Sequence, residues 1–226
     1  MSFEIRPLSP VLAAEIVGLD LSRPPDDEDF ARIRSAFDEH SVLVFRDQYR
    51  LTPEDHIAFS RRFGPLEIHV QERFLLRGPR EILLVSNVFE NGQPIGLVDA
   101  GHYWHSDLSY LAEPSLGSML HAQELPAEGG DTLFVSMHAA YDALDGLMKE
   151  RIATLEAEHS YLARNRKQGE SNPHRPQLDQ RTAAKVPAVV HPMVRVHPGS
   201  GRPTLSSTRA SPRASSACPR TRAKSC

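Results

Sequence analysis

The sequence predicts an α+β domain. Three observations carry that reading. Short β-branched apolar runs alternate with amphipathic helical patterns along the first 205 residues. Hydrophobic residues make up 40% and charged residues 24% of the 226, the balance of an ordinary globular chain. The length suits one domain with a substantial core.

The elements follow in order. The runs SVLVFRDQ (41–48) and EILLVSNV (81–88) read as strands. In PPDDEDFARIRSAFDEH the acids cluster at the start, and Phe30, Ile33 and Phe37 share one face, which predicts an amphipathic helix. LTPEDHIAFSRRF offers Thr52 as N-cap and Pro53 at the first helical position, followed by Ile57, Phe59 and Phe63. GGDTLFVSMHAAYDAL predicts a Gly turn, a strand and a helix from about His138. PAVVHPMVRVHPGSGRPTL reads as a strand, a Gly-Ser-Gly turn and a returning strand. Residues 163–185 are polar and read as a loop or irregular insertion.

Charge and cysteine usage exclude several classes. The net charge of −3 gives no electrostatic case for nucleic acid. There is no long apolar run, so no signal peptide and no membrane span are expected. Cys218 and Cys226 are the only cysteines, which excludes a disulfide framework or a thiolate zinc site in the body and suits a reducing cytoplasm.

The last 21 residues, SSTRASPRASSACPRTRAKSC, differ from the rest. They hold four Arg, one Lys, no acid and none of Leu, Ile, Val, Phe, Tyr or Trp, so residues 1–205 alone carry −8. Composition reads residues 206–226 as a disordered basic tail.

The chemistry concentrates in GHYWHSDLSY (101–110). On a strand, His105 and Asp107 would share one face. An imidazole and a carboxylate so placed suit a first-row divalent ion, and one more His would complete a facial triad. A His-x-Asp is also a short pattern that arises often by chance, and by itself it reads first as a packed histidine bonded to Asp107 beside a core Trp104. His121 and His138 read as surface or cap residues.

The blocks VGLDLSRP (17–24), SVLVFRDQ, FSRRFGPLEIH (59–69), WHSDLSY, LPAEGGDTLFVSMHAAYDAL (125–144) and HPMVRVHPGSGRPTL (191–205) resemble the taurine dioxygenase / 2,4-dichlorophenoxyacetate dioxygenase (TauD/TfdA) family of Fe(II)/2-oxoglutarate enzymes, in the same order and with similar spacing. The resemblance implies a double-stranded β-helix, a jelly-roll-like pair of sheets with flanking helices. It implies Fe(II) as metal, with 2-oxoglutarate and O2 as co-substrates. By position, His105 and Asp107 resemble two iron ligands, Thr132 in GGDT the hydroxyl that bonds a carboxylate of 2-oxoglutarate, and His69 a contact to the acid group of the substrate. Glu72 and Gly101 stand where the taurine enzyme has Tyr and Asn, and an acid there disfavours a sulfonate. The implied function is hydroxylation of a small organic acid (a sulfonate, an aryloxyalkanoate or similar) with release of succinate and CO2, by a cytoplasmic enzyme whose relatives form homo-oligomers.

The resemblance also implies a distal His in a WDN…H block and an Arg for 2-oxoglutarate, and neither follows GRPTL here. Synonymous codons for the tail, read from one T upstream, spell FVNPGFTSRIVGLPEDESKVL, a family-like continuation. The expectation is therefore an incomplete dioxygenase domain over 1–205, incomplete at its C-terminal end, and an out-of-frame tail over 206–226. The alternative is a catalytically inactive, truncated remnant. His191 and His197 come from the right end of the chain for a third ligand, but the resemblance places their block outside the ligand set.

Overall fold

The computed structural model describes residues 3–101, 103–170, 172, 175, 177–206 and 212–214. The fold is mixed α+β, and among the described residues no sheet exceeds three strands.

The N-terminal third forms the best-packed part. Strand β1 (Glu4–Pro7) runs antiparallel to β2 (Ala14–Val17), and β2 pairs parallel with β3 (Leu43–Val44). Between β2 and β3 lies helix α1 (Asp27–His40). Asp26 caps it by accepting from the Asp29 N–H, and the three acids of its first turn favour the helix dipole. It ends where Ser41 turns left-handed at φ 63°. Helix α2 (Pro53–Arg61) begins with a reciprocal capping box between Thr52 and Asp55. The apolar faces of α1 and α2 close on the sheet, burying Phe3, Ile16, Leu19, Leu21, Ile33, Ala36 and Phe59. Phe30, Phe45 and Phe63 pack edge-on around Phe59, a favoured geometry for aromatic rings. Both helices start and stop as the sequence pattern requires.

A second unit builds the wall behind the candidate site. After a short 3-10 turn (Glu72–Phe74) and the small hairpin β4 (Phe89–Glu90) and β5 (Gln93–Pro94), helices α3 (Met137–Asp142) and α4 (Gly146–Ile152) lead to β6 (Leu155–His159). Helix α5 (Tyr161–Gly169), capped by Ser160, and the short α6 (Gln180–Ala184) follow. Strand β7 (Val189–Pro192) returns antiparallel to β6, and β8 (Val194–Val196) and β9 (Pro203–Leu205) form the expected hairpin over the 197–202 turn. Strand β10 (Pro212–Ala214) pairs with the other edge of β6. Three residues of the expected disordered tail are therefore in a sheet, and the remainder of that expectation lies outside the described residues. Both cysteines do too.

Several expected strands are absent, and each absence has the same cause. Of 41–48 only Leu43–Val44 finds a partner. The 81–88 run makes one isolated bridge, Leu75 to Leu83, plus single backbone bonds such as Leu97 N–H to the Leu84 carbonyl. Residues 131–135 form no strand, and Leu133, Phe134 and Val135 stay exposed. A strand is a property of a pair, and apolar alternation without a neighbouring edge makes only extended chain. The 163–185 segment, expected to be a loop, holds most of α5 and all of α6. No helix among the described residues is long and apolar enough to cross a membrane.

Candidate metal centre

Residues 103–110 form no strand. Residues 104–106 are irregular, 107–110 turn, and Leu108 takes φ 50°, a left-handed conformation that breaks any strand. The shared strand face expected for His105 and Asp107 is thus corrected to a turn. The turn nevertheless brings the two side chains together: His105 Nε2 lies 3.1 Å from Asp107 Oδ1.

Each member is held from behind. The His105 Nδ1–H donates to the Tyr103 carbonyl at 2.7 Å, which leaves Nε2 as the nitrogen facing Asp107. Ser118 Oγ donates to Asp107 Oδ2 at 2.6 Å, which leaves Oδ1 facing His105. The hydrogen bond to Asp107 raises the His105 pKa, and the bond from His105 lowers that of Asp107. Without metal, a proton between His105 Nε2 and Asp107 Oδ1 is favoured, because each group shifts toward its charged form. A divalent ion fits in place of that proton: one imidazole nitrogen and one carboxylate oxygen converge, and each has an outer partner that fixes its orientation. The pair is partly open to solvent, its side chains 33% and 49% exposed, so breaking its hydrogen bond costs little.

His69 stands nearby. The Gln71 backbone N–H donates to its Nδ1 at 3.2 Å, so its proton sits on Nε2. Burial, aided by the charge of Arg175 and opposed by that of Asp107, lowers its pKa to about 4. His69 is therefore a neutral N–H donor at neutral pH.

Behind His69 runs a buried polar network that no local sequence pattern marks. Arg175 pairs with Asp99 and donates through Nε to Asn165 Oδ1 at 2.7 Å. Gln71 Nε2 bonds the Tyr161 hydroxyl at 3.2 Å, and the Tyr161 ring lies 4.6 Å from that of Tyr110. Arg175 comes from the polar insertion, where nothing local marks it as buried. Its partners lie 10 and 76 residues away in the chain.

The other predicted site residues stand apart. Thr132 is exposed on the unpaired 131–135 segment, and no described hydrogen bond joins it to the pair. His191 donates through Nε2–H to the Leu111 carbonyl at 2.9 Å and packs its ring 5.1 Å from that of His159. His197 packs against His138, which is buried and bonds the Pro203 carbonyl rather than lying on a surface. Among the described residues no group of three His, Cys, Asp or Glu side chains is placed to hold a metal ion.

Residues 4–223 match the family described as taurine catabolism dioxygenase TauD, TfdA family, a span that runs past Leu205 into the basic tail. The chain belongs to the TauD/TfdA family. An alpha-ketoglutarate-dependent 2,4-dichlorophenoxyacetate dioxygenase of Cupriavidus pinatubonensis is 38% identical over 216 residues, covering 91% of this chain and 73% of that protein. An (S)-phenoxypropionate/alpha-ketoglutarate-dioxygenase of Sphingobium herbicidovorans is 33% identical over 205 residues, covering 90% and 70%. Among solved structures, AAD-2 in complex with Mn(II) and N-oxalylglycine matches with a TM-score of 0.67 at 29% identity, over 90% of this chain and 68% of that one. A taurine dioxygenase from Burkholderia xenovorans matches with a TM-score of 0.69 at 29% identity, over 91% and 62%.

Proposed function

We propose that this TauD/TfdA member is an Fe(II)- and 2-oxoglutarate-dependent dioxygenase that hydroxylates a small organic acid, with release of succinate and CO2. The observation that carries the reading is the convergence of His105 Nε2 and Asp107 Oδ1, each backed by its own hydrogen-bond partner. The relatives include enzymes named for phenoxypropionate and 2,4-dichlorophenoxyacetate, which supports an aryloxyalkanoate, and Glu72 is exposed and paired with Arg80 and Lys185, so its charge sets no bias against an acid.

His105 and Asp107 would hold the iron, and the iron, when bound, supplies oxygen activation coupled to 2-oxoglutarate decarboxylation. The protein's own contribution is orientation. Tyr103 and Ser118 hold the two ligands in the tautomer and rotamer that offer one lone pair each. His69, neutral and donating through Nε2, would take a hydrogen bond to the substrate's acid group. Thr132 would donate its hydroxyl to a 2-oxoglutarate carboxylate once the 131–135 segment is drawn into a sheet. That fits a double-stranded β-helix over residues 1–205 in which this segment is an inner strand, with 206–226 an out-of-frame tail. DNA sequence across the Leu205 codon tests the tail.

The decisive experiment is anaerobic addition of Fe(II) and 2-oxoglutarate to the purified chain. A weak visible charge-transfer band, absent from the Asp107→Asn variant, supports the reading. No band and no succinate with aryloxyalkanoate or other acid substrates assigns the chain to the inactive remnant.

A further inference from the structure

A second cation stands beside the His105–Asp107 pair, and neither the ligand geometry nor the buried network uses it. Arg164 lies in the first turn of α5, half-buried, with its guanidinium centred 3.0 Å over the Tyr103 ring. The Tyr103 ring lies 4.8 Å from the His105 ring. These two contacts put the guanidinium within about 8 Å of the imidazole, inside the Debye length at physiological salt. Its charge is felt there, opposing protonation of His105.

Arg175, the other arginine of this wall, is fully engaged by Asp99 and Asn165. Arg164 differs. Among the described residues no carboxylate pairs with it, and its Nε is buried with no hydrogen-bond partner. The contact with the Tyr103 ring fixes where the guanidinium sits, and its N–H groups have no carboxylate acceptor among the described residues. A guanidinium held over an aromatic ring, next to the candidate ligand pair and without a carboxylate partner among the described residues, suits a carboxylate.

We propose that Arg164 is the anion-recognition residue of this site, binding a carboxylate of a small acid between α5 and the His105–Asp107 turn. The identity of the site as a dioxygenase centre comes from the reading above, but the recognition itself needs no metal. The same chemistry suits the substrate's acid group or 2-oxoglutarate, and the test separates them.

Trp104 is the only tryptophan in the chain and adjoins Tyr103, so its fluorescence reports occupancy. The metal-free full-length chain is titrated separately with phenoxyacetate, 2-oxoglutarate and methyl phenoxyacetate, with calorimetry in parallel. The expected result is saturable binding of at least one acid over its ester. R164Q weakens that binding at least tenfold, R164K by less, and both melt within a few degrees of the parent. Binding of phenoxyacetate alone makes Arg164 the substrate anchor, and binding of 2-oxoglutarate alone makes it the co-substrate anchor. Equal binding by parent and R164Q overturns the proposal, as does an acid affinity no better than the ester's. Should R164Q not fold, R164K decides, because a point charge in place of the fork must still lose affinity. Arg164-dependent binding without the Fe(II) chelate band would mean that the metal reading alone has failed.

Discussion

Ser118 Oγ donates to Asp107 Oδ2 across a 2.6 Å hydrogen bond, from eleven residues further along the chain. Ser118 is not a ligand, but it decides which oxygen of Asp107 faces His105. Outer partners of this kind are worth roughly 10–100-fold in metal affinity. Ser118→Ala is expected to lower Co(II) or Fe(II) affinity by about tenfold while leaving the melting temperature close to the parent's. Calorimetric titration checks it, and unchanged affinity would remove Ser118 from the site.

His69 should stay neutral far below the usual range for histidine. Its folded pKa of about 4 lies under the unfolded value of 6.5. The unfolded chain therefore takes up a proton first as pH falls. The stability that His69 contributes is complete above pH 6.5 and is lost as pH falls from there through about 4. The loss amounts to roughly 3 kcal/mol at most. NMR titration of the His69 imidazole reads the pKa directly. His69→Gln should flatten the dependence of urea stability on pH over that window. His105, whose pKa is raised, acts with the opposite sign, and its contribution is lost as pH rises through its folded value.

The Arg175–Asp99 pair is almost fully buried, with Arg175 6% and Asp99 8% exposed. Removing only the cation leaves a carboxylate stranded in the interior. Arg175→Leu is expected to cost about 3–5 kcal/mol. Adding Asp99→Leu should recover part of that loss, because the desolvated charge is then gone too. Urea unfolding of both variants and the parent measures it, and equal losses in the single and double variants would contradict the account.

Ile33 is fully buried where α1 meets β2. Ile33→Ala should cost about 2–5 kcal/mol, the range for a buried aliphatic side chain cut to a methyl. Asp26→Ala at the N-cap of the same helix should cost about 1 kcal/mol. Thermal melts monitored by circular dichroism rank the two, and the core change must be the larger.

What could be read in the chain alone follows how local each feature is. Helices α1 and α2 are legible because their caps, acids and apolar spacing lie within the same dozen residues that form them. The β8–β9 hairpin is legible because its turn chemistry sits between its strands. His105 and Asp107 are legible as a pair because they are two apart, and any compact backbone there keeps them within reach.

The rest needed partners far away in the chain. The 81–88 and 131–135 runs carry strand-like residues, but hydrogen bonding to another edge decides whether a strand forms, and sequence does not show where that edge lies. The insertion at 163–185 looked irregular because its polar residues are buried against distant groups, as Arg175 is against Asp99. The local elements and the two candidate ligands were readable from residues close together in the chain. What stands behind them came from the fold: Ser118 on Asp107, Arg175 near His69, and Arg164 over Tyr103. Backbone propensity acts over a few residues, whereas charge, burial and hydrogen bonding at a site are set by whatever the fold carries there.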